Sequence, residues 1–149
     1  MRALFLLTIL SVASLGQSID QGRAFYKEGK VADARKTFEA ILYKNSNDAE
    51  ARYWLAVVCI HRDIRDWDTA VDNIEAAVES DPNRADFQYI LGATYGLKAQ
   101  NSGIFKQAIL APRIKKAFQK AVDPIPGGNP CRARRPYSRL CHRPRNNGH

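Results

Sequence analysis

From Ser18 to Val122 the apolar residues recur at the spacing of helices. Ala34, Phe38, Ile41 and Leu42 stand at i, i+4, i+7 and i+8 and line one face of an amphipathic helix. Before them, Gly22, Phe25 and Tyr26 share one side of a helix that the pattern ends at Gly29, because a helix C-terminus favours glycine. Leu55, Ala56 and Cys59 mark a third helix, and Trp67, Ala70, Val71, Ile74, Ala77 and Val78 form the stripe of a fourth. Pro82 stops that helix. The residues Asn45 to Asp48 read as a turn, with Asn47 as helix cap and Glu50 reaching back to it, and Asn83 reads as the cap of the next helix.

The pattern repeats. A shift of thirty-six residues lays Ala34 on Ala70, Phe38 on Ile74, Ile41 on Ala77, Leu42 on Val78, Asn47 on Asn83, Leu55 on Leu91, Ala56 on Gly92 and Cys59 on Tyr95. One offset relating eight pairs is an internal repeat. The stretch from Asn47 to Tyr95 holds one full helical hairpin and the opening of the next. Gly22 to Ala56 is thirty-four residues and Ala56 to Gly92 is thirty-six, which places two extra residues in the turn around Asp63 to Arg65. Small residues at Gly22, Ala56 and Gly92, with Ala34, Ala70 and Ala77, allow paired helices to approach closely.

The last repeat is longer. Phe25 to Ile41 is sixteen residues, whereas the equivalent step from Tyr95 to Ala121 is twenty-six, so about ten extra residues fall near 99–112. Ile104, Phe105, Ala108 and Ile109 suit a short amphipathic helix, which Pro112 is expected to separate from a helix carrying Ile114, Ala117, Phe118, Ala121 and Val122. Two uses of the insert stay open: packing over the end of the array, or gripping a ligand.

Leu91, Gly92 and Tyr95, followed in the repeat grammar by Ala70, Ile74, Ala77, Asp81 and Pro82, give an order that resembles the tetratricopeptide repeat. The resemblance covers three repeats, 18–48, 49–84 and 85–123, within a domain spanning 17–123. Gln21 and Ser46 replace a usual leucine and proline, and Cys59 holds an aromatic slot. It implies an all-α, right-handed superhelical array of about three helix-turn-helix hairpins. It also implies a scaffold whose first helices line a groove for a protein or peptide partner. Carried over by repeat position, the groove residues are Arg23, Tyr26 and Lys27, then Tyr53, Val57, Ile60 and His61, then Tyr89 and Ala93. Tyr53 and Tyr89 suit the groove and the space between helices equally. The basic and amide clamp by which chaperone-adaptor members hold a terminal carboxylate is not matched beyond Arg23 and Lys27.

The two ends differ in composition from the repeats. Arg2, an apolar run from Ala3 to Leu10, and small Ser14 and Gly16 have the order of a secretory signal peptide over 1–16, cleaved after Gly16. That run is too short to span a bilayer comfortably, which argues against an integral membrane protein and for a periplasmic or secreted one. The formal net charge is +8, but six arginines lie beyond residue 124 with no acid among them, leaving +2 for the rest. The segment 124–149 is basic, rich in Pro and Gly, and expected to be disordered. Three readings compete for it: contact with nucleic acid or another anionic surface, a metal site from Cys131, Cys141, His142 and His149, or the product of a frameshift or truncation in an array that otherwise continued. The metal reading lacks paired C-x-x-C spacing. Cys131 and Cys141 have the chemistry for a disulfide in an oxidising compartment, and Cys59 reads as a small interior hydrophobe.

No catalytic motif is present. The chain has no Gly-rich phosphate loop, no histidine pair at metal spacing and no serine elbow, so neither an enzyme nor a cofactor is expected. His61 reads as a solvated or dipole-paired residue at a helix end. Asp63, Asp66, Asp68 and Asp72 do not match a calcium loop, and Asp66 and Asp68 suit a helix N-terminus. The expected function is an exported, non-enzymatic scaffold or adaptor that binds a protein partner. Binding to nucleic acid or an anionic surface through the arginine-rich tail is the alternative.

Overall fold

A computed structural model describes residues 18–122. Six helices follow one another: α1 (Ile19–Lys27), α2 (Val31–Lys44), α3 (Ala49–Cys59), α4 (Trp67–Ser80), α5 (Ala85–Gln100) and α6 (Ile104–Val122). There is no strand among the described residues. Consecutive helices pair as three hairpins, and the hairpins stack because α2 packs on α3 and α4 on α5. The first helices α1, α3 and α5 form a contiguous row, whereas the backbones of α2, α4 and α6 stay apart and α4 meets α6 through side chains, Arg113 standing 3.9 Å from Glu75. The chain is thus an all-α helical repeat array with its first helices gathered on one side. The expected signal peptide 1–16 and the tail 124–149, with the metal and disulfide readings of its cysteines, lie outside the described residues.

The core follows the predicted faces. Ala34, Phe38, Ala56, Cys59, Ala70, Ile74 and Ala77 are completely buried, and they are the positions that the thirty-six-residue shift superposes or that line the paired helices. Gly22 lies against the ring of Phe38, and Gly92 lies against the ring of Phe118. Gly29 ends α1 with φ +77°, a backbone angle that costs glycine little.

The repeat extends to individual hydrogen bonds in the two turns between hairpins. Asn45 Oδ1 accepts from the Asn47 amide at 3.3 Å, and thirty-six residues on Asp81 Oδ1 accepts from the Asn83 amide at 3.3 Å. Arg52 donates to the Ser46 carbonyl at 2.8 Å, as Gln88 does to the Pro82 carbonyl at 3.0 Å. This use of Asn47 and Asn83 corrects the expected caps. Their side chains stand before the helix starts, and Asp48 caps α3 instead, accepting from the Ala51 amide at 2.9 Å. Arg84 begins α5 with no side-chain cap. Between α3 and α4, the Asp66 amide reaches the Cys59 carbonyl at 3.0 Å, the counterpart of Lys30 reaching Phe25 at 2.9 Å in the first hairpin. The same closing bond spans two more residues there, and Arg65 takes up the extra length at φ 53°.

The third hairpin also departs from expectation. Pro112 does not divide two helices: α6 is continuous over 19 residues with Pro112 inside. The proline lies on the exposed side, while Leu110 and Ala117, the buried residues of α6, fall either side of it on one face and hold both halves to the array. That packing offsets the one lost backbone hydrogen bond. Gly22 to Phe38 is sixteen residues and Gly92 to Phe118 is twenty-six, so the ten extra residues became helix, three in α5 and seven in α6. Seven residues are nearly two turns, which keeps Phe118 on the face where Phe38 stands.

Candidate functional site

The row of first helices carries a chain of side-chain contacts that crosses all three hairpins. Arg23 of α1 places its guanidinium 5.2 Å from the ring centroid of Trp54 in α3, a cation over an aromatic face. Trp54 Nε1 donates to Glu50 Oε1 at 2.9 Å, one helical turn back. The other oxygen of Glu50 accepts from Arg84 Nη1 at 2.7 Å. Arg84 also donates to Asp86 at 2.5 Å and sits 3.8 Å over the ring of Phe87, which stacks on Tyr53 of α3. Burial works against the Arg84 charge, but Asp86 and Glu50 outweigh it and raise its pKa above the ordinary arginine value.

Beside this chain lies a partly accessible cluster of the row. Tyr26 meets Trp54 edge to face at 6.3 Å and His61 at 5.9 Å. His61 Nδ1 accepts weakly from the Asp63 amide at 3.4 Å at the C-terminal end of α3. Arg23, Tyr26 and His61 are half-buried and Lys27 is exposed, so this cluster offers two aromatic rings and two cations to solvent. Asp20, 3.3 Å from Arg23, is the nearby counter-charge.

The other candidates are distributed differently. Tyr53 is only 2% exposed and Val57 is buried, so both form the floor beneath the row. Ile60 and Ala93 are half-buried, Ile60 against the main core. Tyr89 is 48% exposed and turns toward Phe118 of α6, with ring centroids 5.8 Å apart. The structure therefore brings Arg23, Tyr26 and His61 together around Trp54, leaves Lys27 exposed beside Tyr26 in α1, and sets Tyr89 apart from them. Trp54 and the Glu50–Arg84 pair are absent from the expected site. The four-residue spacing of Glu50 and Trp54 is a readable signal for one of these contacts. Arg84, thirty-four residues from Glu50, requires the stacking register.

The remaining polar groups serve the array. Asp66 caps α4 through the Thr69 amide at 3.2 Å and pairs with Arg35 at 3.0 Å; burial pushes its carboxyl up, and these hydrogen bonds bring it below its usual range. Asp68 pairs with Lys98 at 2.7 Å. Tyr95 donates a short hydrogen bond to Glu75 between α5 and α4. Among the described residues no group of His, Cys, Asp and Glu gathers as a metal site, and no helix is long and apolar enough to cross a membrane.

The tetratricopeptide repeat model matches residues 19–63 and 58–95. These two spans cover the first two hairpins and enter α5, stopping where the third hairpin lengthens. No curated protein matches the chain.

Proposed function

This chain belongs to the tetratricopeptide repeat family, and from that premise we propose that it is an exported, non-enzymatic scaffold or adaptor binding a peptide segment of a protein partner along α1, α3 and α5. The observation that carries this reading is the half-exposed cluster of Tyr26, His61 and Arg23 around Trp54. Aromatic rings held by their neighbours lose little entropy on binding and make good anchors. The Arg23, Glu50 and Arg84 contacts fix the row before a partner arrives. Export rests on the order of residues in 1–16.

The test is a binding comparison among the full chain, a Tyr26→Ala/His61→Ala variant and a Tyr43→Ala variant, against peptides selected from a random displayed library. Tyr43 is the control, since it stands almost fully exposed on α2, away from the row of first helices. The reading expects at least about ten-fold weaker binding for the double variant, the range of a modest anchor, and unchanged binding for Tyr43→Ala. Equal binding by all three would refute it.

A further inference from the structure

The outward side of α6 is unlike any other helix of the array. Leu110, Ile114 and Ala117 turn toward α5 and its surroundings. Away from that side, by the helical period, stand Phe105 in the first half and Lys115, Lys116 and Gln119 in the second, with Ile104 and Ile109 on the two flanks. Ile104, Phe105 and Ile109 are 80%, 88% and 64% exposed. Three bulky apolar residues this open on the outward half of one helix, Phe105 and Ile109 on one ridge and Ile104 on its flank, call for an explanation, because apolar patches on a surface mark places where something binds. The ridge lies largely in the seven residues that α6 has gained over α2, so the third hairpin reaches beyond the other two and lifts the patch clear of them.

Charge selects the occupant. Helix α6 carries five lysine or arginine residues and no acidic one, whereas α4 carries four acidic residues and no basic one. A second copy applied symmetrically to this ridge would bring two all-basic helices together, which is unfavourable. The ridge is also convex. Phe105, 88% exposed, stands out from the helix with no wall among the described residues to enclose a peptide side chain, whereas a fluid surface moulds itself to a convex face. Apolar side chains flanked by lysines on one face of a helix are the pattern of a segment that lies in the interface of an anionic bilayer.

We infer that the outward face of α6 docks on an anionic lipid surface, with Ile104, Phe105 and Ile109 inserted below the headgroups and Lys115 and Lys116 against the phosphates. The helix lies along the surface. It does not cross it, and the row of first helices on the other side of the array stays open to a partner. This docking is independent of the peptide site and of the arginine-rich tail.

The experiment uses the full chain and lipid vesicles, either phosphatidylcholine alone or with about one-third phosphatidylglycerol. A Phe105→Trp variant reports on α6 itself: its emission, taken relative to the unsubstituted chain, should shift to the blue with anionic vesicles and not with neutral ones. Vesicle affinity should fall at least about ten-fold for Ile104→Ser/Phe105→Ser, from lost apolar burial. It should fall about five-fold for each of Lys115→Gln and Lys116→Gln. Both pairs of substitutions replace exposed side chains, and an unchanged melting curve verifies that the array is intact. Vesicle binding by the Phe105→Trp variant without the blue shift would assign the contact to another part of the chain and overturn the inference. A concentration-dependent oligomer dissolved by Ile104→Ser/Phe105→Ser would seat a second copy on the ridge, through the acidic α4, and would equally overturn it.

Discussion

Gly22 of α1 lies so close to Phe38 of α2 that a Cβ built on it would stand 2.5 Å from the ring Cζ. Phe38 is completely buried, so the ring has nowhere to go. Gly22→Ala is therefore expected to lower stability by about 1–3 kcal/mol, the usual cost of overpacking. Gly96, in α5, has nothing within 4 Å of the same position. There Gly96→Ala should stabilise by about 0.5–1 kcal/mol through helix propensity alone. Urea unfolding of the two variants checks both signs.

The Glu50–Arg84 pair joins the second and third hairpins. Both side chains are about a third exposed, which weakens the Coulomb attraction through screening. A double-mutant cycle with Glu50→Gln and Arg84→Met should give a coupling of about 0.5–1 kcal/mol. Glutamine leaves an acceptor for the Trp54 indole, so the cycle isolates the ion pair. A coupling that disappears would mean that this pair adds nothing to the stacking of the third hairpin on the second.

Two buried groups predict an alkaline limit to stability. Burial pushes the Cys59 thiol up to about 11 from 9.0, and burial with the neighbouring Glu75 pushes the Tyr95 hydroxyl up to about 12 from 10.0. Both pKa values are higher in the folded state than in the unfolded one, so the neutral forms favour folding. Their contribution is whole below about pH 9 and is lost as pH rises toward about 12. Urea midpoints measured across that range should fall, and the fall should be shallower in Tyr95→Phe. Cys59 should also resist a thiol reagent under native conditions at neutral pH and react on unfolding.

Pro112 leaves one carbonyl of α6 without its helical partner. The residue is exposed and the helix is continuous through it, so Pro112→Ala should restore the hydrogen bond without disturbing packing. An increase in stability of about 1–3 kcal/mol is expected. A melting temperature that does not rise would indicate that the two halves of α6 are held by something other than one helical ladder.

Much of the array is legible in the sequence because small and large apolar residues recur at one offset. The periodicity locates five of the six helices near their observed ends, and the spacing of Phe25, Ile41, Tyr95 and Ala121 measures the ten-residue excess without revealing its form. Proline is ordinarily a breaker, and only the placement of Leu110 and Ala117 on one inward face shows why α6 continues. The cap of α3 falls one residue beyond its expected place because Asn47 and Asn83 are both good capping types, while the choice of Asp48 depends on the turn made by Asn45. In the candidate site, repeat position alone names Tyr26 and His61, which the structure sets side by side. It does not find Trp54, whose counterpart thirty-six residues on is Ile90, which has no polar edge to reveal the shared face.

Partners are proposed to meet this chain on the row of α1, α3 and α5. Placing a photo-crosslinking residue at Tyr26 in one variant and at Tyr43 in another, in the full chain, tests it most directly. After irradiation with a bound peptide, adducts are expected from position 26 and none from position 43. Adducts from position 43 with none from position 26 would contradict it.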